Sequence, residues 1–233
     1  MKEDPSLIFI HNWKIYRKVI ESDYMSHRQI GSITRNVLKT FSASCPLDIL
    51  DLGCGDADQI AIVLKTMEVA TYTGIDLSPQ AIEIAEKNLT PLSCLLEFRI
   101  GRMEDEINLL EKEYNLVFSS FAIHHLPDQQ KKSFIEECFR RTSSNGLFML
   151  IDIKRQPGQT IEQYRSAYAE WIRSEWHHLN KEEQESIIAH LQECDFPVEI
   201  TTYKKWALEA GFILLEEALI EDPRHGFIGF KKV

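Results

Sequence analysis

The chain has no stretch approaching the about 18 consecutive apolar residues that a membrane span needs, so no spanning helix is expected. Basic residues are in deficit: 26 Lys and Arg stand against 36 Asp and Glu, a net charge of −10. Phosphate backbones are held by clustered cations, and here the cations are scattered. Nucleic acid is therefore not an expected partner. The five cysteines (Cys45, Cys54, Cys94, Cys138, Cys194) are odd in number and form no Cys-x-x-Cys pair. That argues against a disulfide framework and reads as reduced, mostly buried thiols. No His-x-x-x-His spacing or Cys/His cluster appears, so no metal site is expected. The start, MKEDPS, has no basic region leading into a long apolar stretch, and a cytoplasmic protein is expected. Repeats and low-complexity tracts are absent.

What the chain does contain is concentrated in residues 47–58, LDILDLGCGDAD. An apolar run (Leu47, Ile49, Leu50, Leu52) enters a turn at Gly53 and Gly55, and a second apolar run starts at Ile60 with helical spacing. This is a strand, a tight turn and a helix, the opening of a nucleotide-binding α/β unit. Glycine has no Cβ to keep a ligand away from the backbone. The third glycine of the dinucleotide fingerprint is missing, because Asp58 stands there. Asp51, Asp56 and Asp58 surround the turn, and no Lys or Arg appears before Lys65. A pyrophosphate would be repelled there, and a nucleoside carrying positive charge attracted.

Residues 71–89 add a second strand ending at Asp76, followed by a helix that Ser78 can cap and Pro79 can open. An acidic residue about 20 positions past the glycine turn is placed to accept hydrogen bonds from ribose hydroxyls.

With these motifs, residues 45–153 and 200–233 resemble the class I S-adenosylmethionine-dependent methyltransferases. LDLGCG and GIDLSPQAIEIA are similar to that family's first and second motifs, and YNLVFSSFAIHHLP (114–127) to its fourth-strand motif. RRTSSNGLFMLID (140–152) resembles the glycine turn before a fifth strand. WALEAGFILLEEAL (206–219) and HGFIGFKKV (225–233) resemble the last helix and closing hairpin. The resemblance implies an α/β fold, a Rossmann-like, seven-stranded, mostly parallel sheet with helices on both faces. It implies S-adenosyl-L-methionine as donor and S-adenosyl-L-homocysteine as product. Asp51, Gly53, Cys54 and Gly55 would then lie along the methionine half, and Asp76 and Leu77 at the ribose. Ser119, Ser120 and Phe121 would line the donor and the methyl-transfer channel. The family's third motif has an acidic residue after a glycine, but FRIGRMEDEI puts Arg102 there, followed by Met103. Met103 either lies along the adenine, as a thioether packs well on aromatic rings, or simply starts a helix turn.

Strands are expected near 47–52, 71–76, 95–100, 114–120, 147–153, 212–219 and 225–232, with helices near 57–68, 79–89, 128–142 and 201–210. Two segments fall outside this core. Residues 1–44 are helical in pattern, with Tyr24-Met25-Ser26-His27-Arg28 as a polar break. They are expected to form a lid with Tyr24, His27 and Arg28 nearest the donor and Arg28 placed to pair with its carboxylate. The alternative is an exposed turn between two surface helices. Residues 154–199 are a helical insertion after the fifth strand, broken at Pro157-Gly158, with an aromatic stripe through Tyr164, Tyr168 and Trp171. Such stripes usually pack. Here part of the insertion is expected to cap an acceptor pocket, and Trp171, Arg173, Trp176 and His177 are the side chains of interest.

His124 and His125 follow the fourth strand, and either is a candidate general base. The expected chemistry is in-line displacement of the donor methyl by a small-molecule O- or N-acceptor. A protein or RNA methyltransferase, or a non-catalytic donor-binding protein, are the alternatives. A monomer or homodimer is expected.

Overall fold

The computed structural model describes residues 13–41, 45–218 and 220–233. Parts of the expected N-terminal lid, residues 1–12 and 42–44, and Leu219 of the expected sixth strand lie outside the described residues.

Seven strands form one sheet: β1 (Leu47–Leu52), β2 (Val69–Asp76), β3 (Leu95–Ile100), β4 (Tyr114–Ser120), β5 (Thr142–Ile153), β6 (Ile213–Ala218) and β7 (His225–Lys231). Their order is β3-β2-β1-β4-β5-β7-β6. The first five pair in parallel, and β7 runs antiparallel between β5 and β6. The helices among the described residues are α1 (Trp13–Glu21), α2 (His27–Phe41), α3 (Asp58–Leu64), α4 (Pro79–Leu89), α5 (Met103–Glu106), α6 (Asp128–Arg141), α7 (Ile161–Glu175), α8 (Lys181–Cys194) and α9 (Ile200–Ala210).

Side chains alternate across the sheet with the period of a strand. Leu50 and Leu52 of β1, Val117 of β4 and Phe148 and Leu150 of β5 pack on one face, against Phe134 and Ile135 of α6 and Tyr203 of α9. Leu47 and Ile49, Leu116 and Phe118, and Met149 and Ile151 pack on the other, against Ile30, Ile60 and Ala85 of α2, α3 and α4. A sheet covered on both faces needs such strands, apolar in both directions. The strand order reverses at β1, whose neighbours β2 and β4 lead away to opposite sides, so a crevice opens at the carboxyl ends of these strands.

Three boundaries differ from expectation. Helix α3 ends at Leu64 rather than near 68, because Leu47 N donates to Glu68 O (2.7 Å) and draws that residue toward the sheet. β2 accordingly begins at Val69. β5 begins at Thr142, well before the expected 147, because Asn145-Gly146 is absorbed as an irregularity within the strand and not as a turn ahead of it. Asn145 takes φ 64°, its N–H donates to Lys232 O (2.8 Å), and Lys232 N donates to Gly146 O (3.0 Å).

The insertion forms two capped helices. Thr160 with Gln163 and Asn180 with Glu183 form reciprocal capping boxes at the starts of α7 and α8. The aromatic stripe is mainly packing: Tyr164, Tyr168, Ile172 and Trp176 form a buried cluster with Val19 of α1, Ile188 and Leu191 of α8, and Ile153 at the carboxyl end of β5. This cluster welds the N-terminal helices to the insertion and sets both over the crevice.

Candidate functional site

The floor of the crevice is the turn after β1. Gly53 takes φ 73°, and a Cβ there would come within 2.3 Å of Ala122 Cβ, so only glycine fits. Gly53 N and Cys54 N both donate to Ile75 O (2.9 and 3.0 Å), which ties the turn to β2. Asp76 completes the clamp: Oδ2 accepts from Gly55 N and Oδ1 from Ser78 N, each at 2.8 Å. Each oxygen keeps a second lone pair for a ligand hydroxyl. Burial pushes the Asp76 pKa up, against the pull of those backbone donors. Asp51 is buried at the end of β1 and accepts from Tyr72 Oη at 2.5 Å. Burial raises its pKa to about 7. Three carboxylates, Asp51, Asp56 and Asp76, thus sit together under low-dielectric cover, an arrangement that gains from a cationic ligand.

Above this floor lies a cavity of about 410 Å³. Asp51, Gly53, Cys54, Gly55, Asp76 and Leu77 line it. So do Arg102, Met103, Ser120 and Phe121. Met103 is buried, with its sulfur 3.6 Å from where a Gly53 Cβ would stand. Arg102 reaches the rim, where its Nε donates to Glu104 Oε1 (2.8 Å). Glu104 also lines the cavity.

Ser119 does not line the cavity. Alternation along β4 buries it, and its hydroxyl donates to Leu52 O (2.9 Å), stitching β4 to β1. Phe121, the residue after next, takes φ 53° and swings its ring toward the cavity, edge-on to His225 and tilted over His27.

The described N-terminal helices line the cavity with residues that only partly match those expected. Helices α1 and α2 line the cavity through Tyr16, Ile20, His27, Ile30 and Thr34. Tyr24 and Arg28 line no described cavity. The cause is the turn between the helices, where Asp23 and Ser26 both adopt positive φ (57° and 59°). The turn starts α2 at His27, which faces inward, and Arg28, about 100° further around the helix, faces solvent. Arg28 N donates to Asp23 Oδ1 (3.0 Å), and its guanidinium lies 3.4 Å from Glu21 O. Tyr16 was missed, although the pair Tyr16 and Ile20 shares a helical face by i, i+4 spacing. Asp56, Asp76 and Asp58, added to burial, push the Tyr16 phenol pKa up. Burial pushes His27 down to about 4, so it faces the cavity as a neutral ring.

A second cavity of about 90 Å³ adjoins the first and shares Tyr16, Phe121, His125 and His190 with it. Its wall is apolar, from Val19, Met25, Ile153, Tyr168 and Trp176. Trp171 is elsewhere: the Arg224 guanidinium stacks 3.5 Å over its ring. Arg173 forms a two-pronged pair with Glu185 (2.7 and 2.9 Å) on the surface, and His177 is exposed.

At the polar end of the small cavity stand His124, His125, His190 and Asp195. His124 is buried, with Nδ1 2.5 Å from Asp152 Oδ1. Burial opposes charging this ring, but Asp152 and Asp195 outweigh it and raise its pKa. Burial likewise works against ionising Asp195, and the three histidines overcome it and hold its carboxyl below the usual range. His125 is the member of the pair that reaches both cavities. Sequence spacing could not find this group, because His190 and Asp195 come from α8 and the residue after it, far along the chain from His124.

Residues 49–146 match the family described as methyltransferase domain. An uncharacterized methyltransferase of Synechocystis sp. is 29% identical over 118 residues, 51% of this chain and 52% of that protein. The ubiquinone biosynthesis O-methyltransferase of Pseudomonas savastanoi pv. phaseolicola is 25% identical over 137 residues, 59% of this chain and 57% of that protein. The chain thus spans about half the length of the curated relatives it matches. Among solved structures, magnesium protoporphyrin IX methyltransferase of Synechocystis PCC 6803, crystallised with bound SAH, superposes with a TM-score of 0.70 over 98% of this chain and 97% of its own, at 12% identity. That is a likeness of fold. Residues 49–146, less than half of the chain, are thus similar to a methyltransferase domain, and the chain shares the α/β fold of its solved neighbours. No described helix is long and apolar enough to cross a membrane.

Proposed function

We propose that the chain transfers the methyl group of S-adenosylmethionine to an O- or N-atom of a small acceptor, leaving S-adenosylhomocysteine. The observation that carries this reading is the meeting of two cavities at Phe121 and His125, a larger one over an acidic floor and a smaller one with apolar walls. The residues present suit the donor. Gly53 leaves room that a Cβ would fill, Asp76 offers oxygens to vicinal hydroxyls, and Asp51 offers a buried carboxylate to an ammonium group. Met103 and Leu77 supply apolar surface for the base. When bound, the donor supplies an electrophilic methyl group on a sulfonium.

The chain's own part is alignment and exclusion of water. Fixing donor and acceptor in line can contribute on the order of 7–11 kcal/mol. Tyr16, His27 and Phe121 close the roof over the junction. His125 lines both cavities, which supports a role for it in taking a proton from a hydroxyl or amine acceptor at the junction. The small cavity favours a compact, largely apolar acceptor group over a macromolecule. The similarity to a ubiquinone biosynthesis O-methyltransferase supports the same class. The test is incubation with the donor and pooled metabolites, read by mass spectrometry. A product one methyl group heavier supports the reading. Tight donor binding with methylation confined to a protein or RNA fraction would overturn the small-molecule assignment.

A further inference from the structure

Asp195 Oδ1 is buried and takes no hydrogen bond of good geometry among the described residues, yet imidazole nitrogens surround it. His125 Nδ1 stands 3.3 Å away, His190 Nε2 3.4 Å and His124 Nε2 3.6 Å. A charge-assisted hydrogen bond would draw such atoms to about 2.7–2.9 Å. The observed spacings instead match the edge of a tetrahedron, about 3.4 Å when metal–ligand bonds are about 2.0–2.1 Å. The donor atoms of His124, His125 and Asp195 all lie within 4.8 Å of one another. We propose that His124, His125 and Asp195 bind one divalent transition-metal ion at the junction of the two cavities, with His190 beside Asp195.

The surroundings are those of a metal ligand set. His124 turns its Nδ1 to Asp152 Oδ1, which leaves Nε2 facing Asp195. Asp152 is fixed in turn: Oδ2 accepts from Tyr203 Oη (2.8 Å) and Oδ1 from Ile153 N (3.0 Å). A carboxylate holding the far nitrogen of a ligating histidine sets its tautomer and raises its basicity. Two imidazoles and one carboxylate select zinc or a neighbouring transition ion over magnesium or calcium, which prefer oxygen cages. A dication also matches the two buried carboxylates, Asp152 and Asp195. The ion would pin the end of α8 to the loop after β4. Because His125 lines both cavities, the ion would face the reacting groups, and the base role of His125 would then belong to the metal-free protein. This inference goes beyond the methyltransferase reading and does not depend on donor binding.

The experiment uses the full chain, stripped with a chelator, desalted and titrated with zinc or cobalt without donor. Retention of one equivalent of zinc after gel filtration, with the visible ligand-field bands of four-coordinate cobalt, supports the site. His125→Ala and Asp195→Asn should each lower affinity at least a hundredfold, with circular dichroism showing an unchanged fold. X-ray absorption on the unaltered protein provides a check if the variants fail to fold: scattering from two imidazoles is expected. Retention below a tenth of an equivalent, metal without imidazole ligands, or unchanged affinity in both folded variants would overturn the proposal.

Discussion

Tyr24 lies flat on Trp176, with ring centroids 4.7 Å apart and planes 3° from parallel. The Tyr24 hydroxyl accepts from His178 N (2.9 Å) and pairs with His178 Nδ1 (3.0 Å). Both aromatic residues stood out in the sequence as binding candidates. The stack instead joins the N-terminal helices to the insertion, and Trp176 alone of the two lines a cavity. A stack of this kind contributes about 0.5–1.5 kcal/mol beyond its buried area. Tyr24→Ala should therefore speed donor release about two- to tenfold while leaving the sheet intact. Stopped-flow displacement would measure this, and an unchanged release rate would detach the stack from lid closure.

The Gly53 position is the least tolerant in the crevice. A methyl group there meets Ala122 Cβ, and φ is 73°. Strain in such a conformation costs on the order of 1–3 kcal/mol. Gly53→Ala should lose that much stability in denaturant titration and lose donor affinity by a hundredfold or more. Wild-type affinity in this variant would place the donor elsewhere.

Asp76 has two roles, and two measurements separate them. Removing its carboxylate frees Gly55 N and Ser78 N, and hydrogen bonds to charged groups contribute about 1.5–3 kcal/mol each. Asp76→Ala should be less stable and bind donor poorly. Asp76→Asn retains one backbone acceptor and should recover stability more than affinity. Equal recovery of both would assign Asp76 to the turn alone.

Asp51 gives the crevice a pH dependence. Burial raises its pKa to about 7 from an ordinary 3.8. The folded protein thus holds a proton that the unfolded chain has released between these values. The resulting stability is full below pH 3.8 and is lost as pH rises through about 7. Donor binding has the opposite sign, because an ammonium group favours the carboxylate. Affinity should rise with pH to a plateau above 7, with proton release on binding at pH 6, visible as buffer-dependent enthalpy in calorimetry. Tyr72→Phe removes the hydroxyl that favours the carboxylate, so it should move the midpoint upward.

Much of this was legible in the chain. β1, β3 and β4 begin and end where alternation and turn chemistry put them, and Asp51, Gly53 and Asp76 meet where strand order brings their ends together. Local patterns failed where orientation depends on neighbours. Two positive-φ residues, Asp23 and Ser26, decided that His27 and not Arg28 faces the cavity. Strand alternation, properly applied, separates Ser119 from Ser120. Asp195 and His190 could not be joined to His124 by any spacing rule, because a whole helical insertion lies between them.

The most direct measurement is calorimetric titration of the folded chain with S-adenosylmethionine, repeated with S-adenosylhomocysteine. One site, competition between the two ligands, and loss of binding in Asp76→Ala are the expected outcome. A folded wild-type chain that binds neither would contradict the assignment of the crevice to a methyl donor.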